Sequence, residues 1–172
     1  TLLNKLGTVH TEDLSEKNYV LDWKYYKPVD VFKPIDSTWE IKKLGEVCDF
    51  LGNGKRNSSE GKESGKYPLY YCSILGNLYL DEYDFDDTEI ILNQTNGSGK
   101  CAVYLANGKY SVAKSTMRIK TDNPITTKYV YYYLSSNIST LENFYKGANQ
   151  KQIDKDEFKA LRIPIPSLEK QQ

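Results

Sequence analysis

Two short stretches hold the residues best suited to chemistry. Asn93, Gln94 and Asn96 lie in one, followed by Ser98 and Lys100. Asn149, Gln150 and Gln152 lie in the other, bracketed by Lys146 and Lys151. A carboxamide offers a donor and an acceptor side by side, which matches the major-groove edge of adenine. Lysine and arginine offer charge to phosphate, and Lys55, Arg56, Lys66 and Lys114 extend that set. This is recognition chemistry. Each residue alone equally fits an ordinary surface position, and the reading rests on their grouping in loops between apolar elements.

Catalytic chemistry finds no such grouping. The chain has one histidine, His10, in a segment apart from every other candidate, so a Ser-His-Asp or Cys-His arrangement is not expected. Gly97-Ser98-Gly99-Lys100-Cys101-Ala102 fits a relaxed dinucleotide pattern, but that motif needs a following helix and a β-type run follows instead. Lys55 has no phosphate-loop spacing before it, since position 49 is Asp. No Asn-Pro-Pro-aromatic or Asp-Pro-Pro-aromatic tetrapeptide of the amino-methyltransferase kind occurs. Cys48, Cys72 and Cys101 form an odd, scattered set without a C-x-x-C pair, as expected of buried thiols in a reducing compartment. Asp81, Glu82, Asp84, Asp86, Asp87 and Glu89 lack the glycine and ligand order of a calcium loop and read as a solvated face. The expectation is no catalytic residue, no metal and no cofactor.

The elements that must position the two carboxamide stretches are legible in outline. Residues 1–38, punctuated by Pro28 and Pro34 and carrying Trp23 and Tyr25, read as an arm or linker. Globular patterning begins at Trp39 and Ile41, which alternate like a strand; Leu44, Val47 and Cys48 then have the spacing of one helical turn. Residues 52–66 form a Gly- and Ser-rich loop in which Lys55, Arg56, Lys62 and Lys66 outnumber Glu60 and Glu63. It is expected to be mobile and basic. Strands are expected at 67–73, 77–80, 89–93, 101–105, 110–113 and 116–120, with a hairpin turn at Asn107-Gly108. Val130, Leu134, Ile138, Leu141 and Tyr145 predict one main helix over about 127–145, closed by Gly147. Asp154 to Glu157 has capping-box spacing for a short helix carrying Phe158 and Leu161. Pro164 and Pro166 enforce an extended strap, and Ser167 is a suitable cap for a further helix cut short at Gln172.

Composition limits the partners. The 172 residues are 39% hydrophobic and 27% charged, which suits one globular domain with a real core. No apolar run approaches the roughly 20 residues of a membrane span. The 23 basic and 23 acidic residues balance, which argues against a non-specific, histone-like binder. From Gly97 to Lys120 there are Lys100, Lys109, Lys114, Arg118 and Lys120 and no acid, against the acidic run at 81–89. That contrast predicts a basic face and an acidic face. The 15 tyrosines suit a surface that packs rings and offers hydroxyls to phosphate or sugar.

Taken in order, the chain resembles the target recognition domain of a type I restriction-modification specificity subunit. The resemblance lies in Trp39-Glu40-Ile41-Lys42-Lys43-Leu44-Gly45-Glu46-Val47 and the polar loop after it, then Lys66 to Ser73 and Tyr79 to Asp86. It continues through Ile90-Ile91-Leu92, Asn107 to Val112, Lys146 to Ile153 and Ile163-Pro164-Ile165-Pro166-Ser167-Leu168-Glu169-Lys170-Gln171. It implies a mixed α/β (α+β) fold with a twisted mixed sheet, a recognition domain over 39–166 and the root of a spacer helix at 167–172. It also implies a non-catalytic, cytoplasmic reader of double-stranded DNA that directs partner methyltransferase subunits, with a restriction subunit or a second recognition domain as further partners. The alternatives are the recognition module of a fused restriction-methyltransferase polypeptide and a protein-interaction module without a DNA role.

Overall fold

The computed structural model describes residues 38–71, 73, 77–96 and 100–171. The leading arm up to residue 37, with His10, Trp23 and Tyr25, lies outside the described residues, as do Cys72 and Ser98.

The described residues open as their local signals dictate. Strand β1 spans Glu40–Lys43 and the one-turn helix α1 spans Leu44–Val47. The Glu46 carboxylate accepts from the Lys43 backbone N–H at 2.9 Å and so caps that turn. Leu44 and Cys48 are buried, as their spacing requires. At the other end, β11 (Arg162–Ile165) is the proline strap, and it pairs antiparallel with β1. Pro164 stands opposite Ile41 in a two-stranded sheet, where a residue without an N–H is tolerated. The two ends of the domain are thereby tied together.

Between them lies a mixed six-stranded sheet. Its strands are β2 (Asp49–Asn53), β3 (Tyr67–Tyr70), β4 (Leu78–Leu80), β5 (Phe85–Asn93), β7 (Val103–Val112) and β8 (Thr116–Lys120), in the order β2-β8-β5-β7-β3-β4. Only β3 and β7 run parallel to their neighbour; the other pairs are antiparallel. Ile90 and Leu92 face one side and pack with Met117, Ile119, Val130, Leu134 and Phe158, the main core. Ile91 faces the other side with Tyr70, Ala106, Tyr110 and Val112, a smaller core. Successive β5 residues thus serve two cores, as period-two alternation demands.

Three sequence expectations need correction. The helix over 127–145 is two helices, α2 (Pro124–Ser136) and α3 (Ile138–Glu142). Asn137 separates them; its backbone has left helical geometry and its amide donates to Tyr133 O at 2.7 Å. Tyr145 belongs to the short strand β9 (Tyr145–Lys146), so its agreement with the helical period is coincidental. Asn107-Gly108 is no turn, because β7 runs straight through it opposite Thr88 and Asp87. Strands on both sides of that dipeptide pair with one long β5, and that tertiary pairing overrides the local turn signal.

The third correction concerns charge. The antiparallel β5–β8 pairing brings the acidic run onto the basic one. Arg118 donates bidentately to Glu89 at 2.6 and 2.7 Å, and Lys120 reaches Asp87 at 2.6 Å. Arg56 forms a fork on Asp84 at 2.8 Å through each of two nitrogens. Charges segregated along the chain are therefore neutralised in space. Glu89 is 1% exposed, so the Arg118 guanidinium is its required partner; removing one member of such a pair costs about 3–5 kcal/mol.

These pairs make stability depend on pH. The Arg56 hydrogen bond holds the Asp84 carboxyl below its usual range, and the Lys120 hydrogen bond does the same for Asp87. A carboxyl depressed in the folded state stabilises above its unfolded pKa, about 4, and that contribution is lost as pH falls through the lower folded value. Denaturant unfolding should therefore give a stability that is level above about pH 5 and falls below about pH 4. Asp84→Asn should flatten the fall; equal slopes in the two proteins would refute the assignment.

Candidate nucleic-acid interface

The two carboxamide stretches meet. Strand β6 (Thr95–Asn96) and β10 (Lys151–Ile153) pair antiparallel, with Lys151 opposite Asn96 and Gln152 opposite Thr95. Strand β9 flanks β10 on its other edge, with Lys146 opposite Gln152. Between β9 and β10 the chain reverses at Gly147, whose φ is +124° and where a Cβ would lie 2.6 Å from Gln150 O. Glycine is required at that point, and the reversal leaves Asn149 and Gln150 exposed at the tip.

A third segment joins them. The corner between β7 and β8, residues 113–115, lies between the 52–57 stretch and the β6 strand. On one side Lys55 N donates to Val112 O at 2.9 Å, Lys114 N to Arg56 O at 2.9 Å, and the Asn53 amide to Lys114 O at 2.8 Å. On the other, Gln94 N and Thr95 N donate to Ser115 O at 2.8 and 3.2 Å. Ile153 N then donates to Gln94 O at 2.9 Å. One hydrogen-bonded path runs from Asn53 through Lys114 and Gln94 to the 147–150 tip.

Not every expected residue is available on that surface. Asn93 is 1% exposed and both ends of its carboxamide are engaged, donating to Lys100 O at 2.8 Å and accepting from Ala102 N at 2.7 Å. It clamps the base of a loop and cannot read a base edge. Gln94 is buried as well, at 8% exposure. Arg56, held by Asp84 with Glu60 and Glu82 nearby, is an internal strut. The 52–66 loop is anchored at two points: a Cβ on Gly54 would lie 2.0 Å from Val112 O, and Lys62 exchanges backbone hydrogen bonds with Tyr79. Tight backbone contact overrides its loop-like composition.

The remaining cations differ in commitment. Lys114 is exposed and its ammonium donates to a neutral group, the Asn57 side-chain carbonyl, at 3.3 Å. Lys55 is exposed and lies over the Phe85 ring at 5.0 Å, where Arg118 also sits at 3.5 Å. Lys100 faces Glu142 at 3.8 Å, and Lys146 is held between Asp154 and Glu157. Lys151 is half-buried and Gln152 exposed on β10. Lys66 stands at the far end of β3 from Tyr70, whose carbonyl meets Ala113 N, roughly 13 Å of strand away. It does not join the others. Among the described residues no cluster of three or more His, Cys, Asp or Glu side chains could hold a metal ion.

Sequence reasoning missed four contributors. Asn53 and Ser115 stitch the segments together. Glu142, in α3, accepts from Cys101 N at 3.3 Å, and the Tyr145 hydroxyl donates to Asn93 O. None had a local signal. The helical period places Tyr145 in helix packing.

A family model described as the type I restriction modification DNA specificity domain matches residues 36–172. The chain is 25% identical over 134 residues to the EcoDI specificity subunit, a type I restriction enzyme component of Escherichia coli, covering 78% of this chain and 28% of that protein. It is 26% identical over 147 residues to the type I MjaVIII specificity subunit of Methanocaldococcus jannaschii, covering 80% and 34%. The fold matches the crystal structure of a type I restriction-modification S subunit from M. genitalium with a TM-score of 0.61 at 18% identity, over 77% of this chain and 36% of that one. The chain thus spans about a third of the length of these relatives.

The Asn93 clamp has a measurable cost. Asn93→Ala leaves the buried Ala102 N–H without its acceptor and should lower unfolding free energy by about 1–3 kcal/mol in urea. A change within about 0.5 kcal/mol, the usual range for a surface position, would show that the clamp bears no load.

Proposed function

The chain belongs to the family of type I restriction modification DNA specificity domains, and from that membership we propose that its joined turns read one part of a duplex DNA target. The observation that supports this reading best is the hydrogen-bonded path that joins the Lys114 corner to the strands flanking the Asn149-Gln150 tip. A tip with two exposed carboxamides can enter a major groove and bond bidentately to adenine. Gln152 on the adjoining strand adds a third. Lys114, Lys55, Lys100, Lys146 and Lys151 lie on the segments so joined, where they would meet the backbone and set register without reading sequence. Lys100 and Lys146 must first loosen their carboxylate partners, whereas the exposed Lys114 need not. Asn96 stands on β6 opposite Lys151.

The chain contributes recognition and not chemistry. It directs methyltransferase subunits to the target, and extrusion and methylation of the adenine belong to them. A restriction subunit or a second recognition domain completes the assembly, which we place in the cytoplasm. Residues 39–166 form the recognition unit, closed by the β1–β11 pair; residues 1–38 form a leading arm, and residues 167–172 are the root of a spacer helix. The relatives named above are specificity subunits, so neither a fused restriction-methyltransferase nor a module without a DNA role is favoured.

Selection of duplexes from a randomised library, followed by salt titration of the enriched duplex, tests this reading. One short sequence should be enriched, with affinity falling linearly in log salt. Asn149→Ala or Gln150→Ala should reduce preference for the enriched duplex by about 1–3 kcal/mol at one base pair. Lys114→Ala should weaken all duplexes alike and reduce the salt slope by about 1. No enrichment, or a salt-independent affinity, would end the DNA-reading proposal.

A further inference from the structure

Beyond the residues that touch DNA, a specificity domain needs its reading elements held at a fixed spacing, because a base edge is read only over hydrogen-bond distances. Three side chains, the buried Asn93 and two outside the expected contact set, converge on that problem. The Asn93 carboxamide joins Lys100 O to Ala102 N, closing the base of the 93–102 segment. Glu142, the last residue of α3, accepts from Cys101 N at 3.3 Å with one oxygen and faces Lys100 Nζ at 3.8 Å with the other. Tyr145, the first residue of β9, donates its hydroxyl to Asn93 O. Tyr145 is 7% exposed and Asn93 1%, so solvent cannot readily replace the contact.

These contacts cross between two parts of the chain. Asn93 ends β5 and leads into β6. Glu142 and Tyr145 stand just before the 147–150 turn. The Tyr145 ring is packed in the main core, and Ile153, opposite it on β10, is buried in the same core. A shift of the 147–150 turn relative to β6 must therefore break the Tyr145–Asn93 bond or disturb the core. The polar contacts give direction and the core gives stiffness.

Resting on the DNA-reading function proposed above, we propose that Asn93, Glu142 and Tyr145 form a collar of positioning residues that locks the β6 segment to the 147–150 turn, so that the two read DNA as one unit. None of the three touches the duplex. Their contribution is to discrimination: a loosened turn still meets phosphate but reaches base edges in several poses, so target affinity falls towards the non-specific level.

The test uses Tyr145→Phe, which removes only the hydroxyl, and Glu142→Ala beside Glu142→Gln, which retains an acceptor for Cys101 N. Each is measured with the duplex enriched by the wild-type chain and with a scrambled duplex of equal length, and amide hydrogen exchange is followed in the free protein. In Tyr145→Phe and Glu142→Ala, the ratio of target to scrambled affinity should fall about tenfold. In Tyr145→Phe the scrambled-duplex affinity and its salt slope should stay unchanged, and in both variants the Gln94, Thr95, Cys101 and Ala102 amides should exchange faster. Glu142→Gln should recover most of the ratio. An unchanged ratio, or an equal loss on both duplexes, would overturn the collar while leaving DNA reading intact. Unchanged exchange at those four amides would overturn it without reference to DNA. If the wild-type chain itself enriches no duplex, the DNA-reading function fails, and the specificity role of the collar fails with it.

Discussion

A buried carboxamide cannot leave its donor or its acceptor unmet without a cost of the order of a kilocalorie or more. Asn93 meets that condition by bonding across the base of the loop it introduces, and much of the proposed surface follows from it. Because β5 ends in that residue, the strand that supplies both cores also fixes where the 93–102 segment leaves the sheet. Because its carbonyl receives the Tyr145 hydroxyl, the same residue locates β9. Because Gln94 O receives Ile153 N, the next residue locates β10. The proposed recognition residues can then sit on short turns, which are ordinarily mobile, and still hold a defined spacing.

The cations show a comparable division between building and binding. Arg118 and Arg56 are spent on carboxylates within the fold. An arginine fork suits that use, since it matches a carboxylate with two parallel bonds. The proposed phosphate contacts are lysines, which act as point charges on flexible stems and tolerate the irregular spacing of phosphates. A chain with zero net charge can therefore present a locally basic surface only where its lysines lack strong acidic partners, and Lys114 is the clearest instance.

Local signals that carry their own cap or period survived folding, and those that tertiary pairing opposes did not. The β1–α1 start was legible because Trp39 to Cys48 carries its own period, and α4 (Lys155–Lys159) because Asp154 caps it, accepting from Glu157 N at 3.1 Å. The mixed fold class followed from such pieces in order. Charge segregation failed because residues 87 and 120, or 89 and 118, are adjacent only through strand pairing. Asn107-Gly108 has the chemistry of a turn and the position of a strand. Within the site, the carboxamide groups correctly marked two segments that meet, but type alone could not separate the exposed Gln150 from the buried Asn93. That distinction depends on which backbone groups each side chain finds, and Lys100 O and Ala102 N come to Asn93 only when the loop closes.

The central claim is that separate segments share one DNA-facing surface. Amide hydrogen exchange of the chain, with and without its enriched duplex, tests it most directly. Protection should appear together at the 147–150 turn, at Lys114 and Ser115, and at Thr95 and Asn96, leaving the outer face of α2 around the exposed Tyr132 unchanged. Protection centred on Tyr132, or confined to one of the three segments, would contradict it.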